Sequence, residues 1–98
     1  MGKKHAELVN DIRLFLESLP YSKVTVVTPG PYGSMRSTSD ILACLKGRYV
    51  AIEVKVGKDE TKKGQSRFLK DVIKAKGIGI VAYSLEVVKY QLKYFNIF

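Results

Sequence analysis

The stretch 39–56 constrains this chain more than any other. Two runs rich in β-forming side chains, 39–45 and 48–56, are separated by Lys46-Gly47. A Gly-containing two-residue connection between such runs predicts a β-hairpin. In that hairpin paired positions sum to a constant odd number, so a turn at Lys46-Gly47 sets Asp40 opposite Glu53, whereas a turn at Gly47-Arg48 sets Asp40 opposite Lys55. Either register leaves Asp40, Glu53 and Lys55 on one face, because side chains alternate along a strand. The other face then carries Ile41, Ala43, Leu45, Val50, Ile52, Val54 and Val56, the pattern of a buried sheet face.

Carboxylates directly across a ladder have Cβ atoms about 5 Å apart and repel, so a fold that pairs them neutralises them with a cation. Lys55 can do part of this. A divalent metal can do the rest, and hard oxygen ligands suit Mg²⁺, which keeps several of its own waters. The acidic-x-Lys triplet is weak by itself: with 9 acidic residues in 98, about one match arises by chance. A second triplet, Glu60-Thr61-Lys62, lies in a charged loop with no apolar alternation. Only Glu53-Val54-Lys55 closes an apolar strand that has a partner Asp.

At 98 residues with 46% apolar content, the chain reads as one globular domain, 1–98, with a modest core. The net charge is +8 and the pI about 9.7, which favours a polyanionic partner, nucleic acid or an anionic membrane surface; the plainer alternative is a small basic soluble protein. No apolar run approaches the ~18 residues of a membrane span, and Glu7, Asp11 and Arg13 interrupt any signal-peptide core. Cys44 is the sole cysteine, which rules out an internal disulfide or a cysteine-rich zinc site and fits a reducing, cytoplasmic compartment. With no suitably placed His, Cys44 reads as a small packed residue.

In chain order, residues 3–19 form an amphipathic helix with Leu8, Val9, Ile12, Phe15, Leu16 and Leu19 at helical spacing, ended by Pro20. Glu7 borders that stripe, leaning toward the acidic cluster or solvated. His5, the only histidine, reads first as a surface residue near a fraying terminus and second as a substrate contact. Residues 23–28 are a β-branched first strand, broken by Pro29-Gly30-Pro31. The small, polar loop that follows contains Arg36; it suits a close phosphate approach, or is an ordinary connection. After a charged loop at 57–64 comes a helix over 65–76 with Phe68, Leu69, Val72 and Ile73 inward. Gln65 in its first turn could touch a phosphate or a metal-bound water, helix N-termini being attractive to anions, or could be an exposed helix residue. Residues 77–83 then form a fully buried strand parallel to a neighbour, and Ser84 caps a last helix through Tyr94. The aromatic tail, Tyr90, Tyr94, Phe95 and Phe98, completes the core, makes a subunit contact or stacks on bases.

The order α-β-β-β-α-β, with Asp40 at the head of the second strand and Glu53-Val54-Lys55 on the third, resembles the PD-(D/E)XK nuclease superfamily. Gln65, Glu7 and the small size are similar in particular to the virus-type replication-repair nuclease (VRR-NUC) domain in its stand-alone phage or bacterial form. The lead into Asp40 is Ser37-Thr38-Ser39, with glycine only at Gly33, where that superfamily usually has Pro-Asp or Gly-x-x-Asp. The resemblance implies an α/β, restriction-endonuclease-like αβββαβ core with a C-terminal helix, its mixed central sheet flanked by helices. It implies Mg²⁺- or Mn²⁺-dependent cleavage of DNA, in stand-alone members by homodimers that cut branched substrates such as four-way junctions, inside a bacterial or phage-infected cell. Asp40, Glu53 and the Val54 carbonyl would hold the metal, with Glu7 as a further ligand; Lys55 would orient or deprotonate the attacking water; Gln65 would position that water or the phosphate. Arg36, Lys58, Lys62, Lys63 and Arg67 are candidates for gripping the DNA backbone. The alternatives are a catalytically inactive nucleic-acid-binding module of the same fold, and a membrane-surface or protein-interaction domain.

Overall fold

The hairpin turns at Lys46 and Gly47, both with positive φ (52° and 81°), the backbone of a two-residue turn whose twist matches its strands. It joins β2 (Ile41–Leu45) to β3 (Arg48–Val54) in antiparallel register, with Leu45 opposite Arg48 and Ile41 opposite Ile52. The computed structural model describes residues 2–27, 39–57 and 63–98, without the side chains of 63–66. Its other elements are α1 (Lys3–Glu17), β1 (Ser22–Val26), α2 (Lys63–Lys74), β4 (Ile78–Ala82) and α3 (Leu85–Tyr94). The sheet order is β1-β2-β3-β4. β1 lies antiparallel to β2, and β4 parallel to β3. This is the mixed α/β arrangement, three helices on four strands, that the apolar patterning implies.

Period-two alternation divides the sheet between two layers of helix. Ile41, Ala43, Leu45, Val50, Ile52 and Val54 join Ile78, Ile80 and Ala82 on one face, under Val9, Ile12 and Leu16 of α1 and Val88 and Leu92 of α3. On the opposite face Ala51 packs with Leu69 and Val72 of α2, flanked by Leu42 and Phe68. Because α2 covers β3 and β4, the β1–β2 end of that face stays open, and Cys44 there is exposed rather than packed. The hairpin carboxylates share the α2 face.

Helix ends account for the shifts from the sequence-based boundaries. Past Glu17, the Ser18 N–H still reaches the Leu14 carbonyl, but Ser18 Oγ takes the Phe15 carbonyl at 2.6 Å and Tyr21 turns to φ 57°, so α1 stops before Leu19. α2 ends at Lys74, where Lys76 (φ 75°) and the bonds Gly77 N–H to Val72 O and Lys76 N–H to Ile73 O close a left-handed cap. Asn96 and Ile97 repeat that cap on α3, and at its start Ser84 Oγ accepts from the Val87 N–H at 3.3 Å. The aromatic tail divides: Phe98 meets Phe15 edge-on at 5.5 Å and Phe95 is half-buried beneath Arg48, whereas Tyr90 and Tyr94 face solvent. No described helix is long and apolar enough to cross a membrane.

The α2–β4 connection depends on Gly77. A Cβ there would stand 2.8 Å from Val72 Cγ1 and 3.0 Å from the Tyr49 carbonyl, neither at the end of a flexible side chain. Gly77→Ala should therefore cost about 1–3 kcal/mol, read as a lower urea midpoint at unchanged m-value.

Candidate active site

Continuing the hairpin register by one pair sets Asp40 across from Glu53, the first of the two alignments the turn allowed. The main-chain carbonyl of Asp40 accepts from the Val27 N–H at 2.8 Å, which anchors the start of β2 to the end of β1. The Asp40 side chain turns toward β3, where Oδ2 accepts from the Val54 N–H at 2.9 Å. On β3, Glu53 is fully buried and Lys55 is 6% exposed, and Lys55 Nζ stands 3.9 Å from Glu53 Oε2. The Lys55 N–H donates to Ala82 O at 2.9 Å, carrying the β3–β4 pairing one residue past the strand and fixing the lysine's position.

Glu53 is the anomaly of this molecule. Neither of its carboxylate oxygens has a hydrogen-bond partner among the described residues, and an ionised carboxylate so placed is costly. Burial pushes its pKa from 4.5 up to about 8; the neighbouring Asp40 carboxyl adds to the rise, while Lys55 opposes it.

The consequence for stability follows from linkage. Between pH 4.5 and about 8 the folded chain keeps a proton on Glu53 that the unfolded chain has released. The stability this confers is complete below 4.5 and is lost as pH rises through about 8. The urea midpoint of the metal-free protein should accordingly fall between pH 5 and 8.5, and that of Glu53→Gln should lose most of this slope.

A third side chain enters from α1. His5 Nε2 lies 2.9 Å from the Val54 carbonyl and 3.3 Å from Asp40 Oδ2, with the imidazole only 15% exposed. The surface reading of His5 is thus replaced by a position at the acidic cluster. The signal was present in the sequence, since 5, 9, 12 and 16 continue the spacing of the buried residues Val9, Ile12 and Leu16. Glu7, two residues and about 200° round the helix from His5, is exposed.

The structure therefore brings together Asp40, Glu53, Lys55 and the Val54 carbonyl, with His5 added. Gln65 lies in the first turn of α2, with its side chain outside the described part, as is that of Lys63; Arg67 is exposed on the same helix. Arg36, Lys58 and Lys62 lie outside the described residues.

A solved structure described as a VRR_NUC domain matches 96% of this chain and 99% of its own length, with a TM-score of 0.75 at 18% identity. The chain has the VRR_NUC fold. That is the fold of a nuclease family, reached here with little sequence in common. No protein-family model matches the sequence, and no curated protein does. Within this VRR_NUC fold no group of three or more His, Cys, Asp or Glu side chains among the described residues stands ready to hold a metal ion. The donor set available is of another kind, two carboxylates and a main-chain carbonyl. Hard oxygens few in number suit a cation that retains water, and the orphaned oxygens of buried Glu53 are the feature such a cation would satisfy.

Proposed function

We propose that the protein is a Mg²⁺- or Mn²⁺-dependent DNA endonuclease, selective for branched DNA such as four-way junctions and active as a homodimer. The observation that supports this most is the buried carboxylate of Glu53, without a hydrogen-bond partner among the described residues, beside Asp40 and Lys55, within a fold used by a nuclease family.

Asp40, Glu53 and the Val54 carbonyl would hold the metal. Bound there, the cation supplies charge stabilisation at the phosphate and lowers the pKa of a water. Asp40 Oδ2, fixed by the Val54 N–H, keeps its carboxylate turned to the carbonyl side of β3. Lys55, itself held beside Glu53, presents its amine to the attacking water, orienting it or taking its proton. Gln65 positions that water or the phosphate from α2, and Glu7 reaches the cluster as a further ligand only if its side chain leaves its exposed position. The net charge of +8 draws the DNA in, with Arg36, Lys58, Lys62, Lys63 and Arg67 gripping its backbone. Two copies of this domain would present a four-armed substrate with two such sites and a wider basic surface.

The test compares labelled four-way and linear duplex DNA in one assay with Mg²⁺, Mn²⁺ or EDTA, alongside light scattering. Nicking of the junction in metal and none in EDTA, by a particle of twice the chain mass, is the expected result. Salt-sensitive binding without cleavage in either metal identifies the inactive DNA-binding module instead. Absence of both binding and cleavage leaves a protein or membrane partner.

A further inference from the structure

We propose that His5 is a ligand of the metal, binding through Nε2 alongside Asp40 Oδ2 and the Val54 carbonyl oxygen; this rests on the metal-dependent reading of the site above. The three atoms already form one cluster, with Nε2 2.9 Å from the carbonyl oxygen and 3.3 Å from Oδ2. Neighbouring ligands at 90° around an octahedral cation with bonds of 2.0–2.1 Å stand about 3 Å apart. The imidazole therefore sits at ligand spacing from both oxygens, on the stretch of α1 that continues the buried stripe.

The same contacts serve the metal-free protein. There Nε2–H donates to the Val54 carbonyl and holds it beside Asp40, so the two oxygens are gathered before a cation arrives. Coordination through Nε2 would require the ring proton to stand on Nδ1, leaving the Nε2 lone pair for the cation. The bond to the Val54 carbonyl favours the Nε2–H tautomer in the metal-free chain, and a cation at Nε2 would have to outcompete it, because Nδ1 is buried without a hydrogen-bond partner among the described residues. An imidazole in the sphere also bears on metal choice: nitrogen suits transition metals better than Mg²⁺, so Mn²⁺ should be held more tightly than Mg²⁺.

His5 is the sole histidine, which makes the test spectroscopic. With Mn²⁺ bound to tag-free full-length protein, pulsed electron paramagnetic resonance should show an imidazole ¹⁴N coupling that disappears in His5→Ala and His5→Gln, and Mn²⁺ affinity measured by calorimetry should fall at least about tenfold in both. Mn²⁺ bound in a Glu53-dependent manner without the nitrogen coupling overturns the ligand role of His5 and leaves the nuclease reading standing. Failure of the wild-type chain to take up Mn²⁺ at all overturns both. If neither variant folds, the wild-type spectrum alone decides.

Discussion

Glu53→Gln should lower the rate of metal-dependent DNA cleavage by about a thousandfold or more while leaving the circular dichroism of the chain unchanged. The side chain is fully buried, and Gln matches it in volume, so no cavity opens. What is lost is one anionic oxygen for the cation. A metal at a scissile phosphate contributes several kcal/mol of charge stabilisation, and each 1.36 kcal/mol is about tenfold in rate. The variant should also be the more stable of the two at pH 8 without metal, since it no longer buries a carboxyl that is partly ionised there. Opposite signs for activity and stability from one substitution would distinguish a strained functional group from a structural one. Single-turnover cleavage and urea titration on the same preparation read both, and a variant retaining more than a tenth of wild-type activity contradicts the assignment.

Lys55→Met should cost about 10²–10⁴ in cleavage rate, the usual contribution of a positioned proton-transfer or water-orienting group, with little change in DNA affinity. The amine is nearly buried and stands 3.9 Å from Glu53, so it is badly placed to grip a DNA backbone across the surface. Removing it also takes away a positive charge that opposes the upward shift of Glu53, and the pH at which metal binds should move up with it. Cleavage and binding measured across pH 6.5–9 separate the two effects: a loss of binding equal to the loss of rate would make Lys55 a phosphate contact.

Much of this site was legible because a hairpin is a local object. The turn residues set the register, the register paired Asp40 with Glu53, and period-two alternation put Lys55 on the same side. The parallel placement of β4 beside β3 followed from an intervening helix. Side chains brought in by α1 were less legible, because its rotation over the sheet is set by packing across the chain. His5 and Glu7 differ by only two positions, yet that rotation directs His5 to the Val54 carbonyl and leaves Glu7 exposed. Tertiary contact likewise left Cys44 uncovered, since the width of the sheet that α2 spans cannot be read from the strand containing it.

Titrating Mg²⁺ into the full-length protein at pH 8 in a calorimeter, in two buffers of different ionisation enthalpy, addresses the seating of a cation by Asp40 and Glu53 most directly. The structure predicts saturable binding that releases part of a proton per metal, as the cation displaces the one held on Glu53, and that is abolished in both Asp40→Asn and Glu53→Gln. Heats that do not saturate in the wild-type chain, or binding that survives both substitutions, would contradict it.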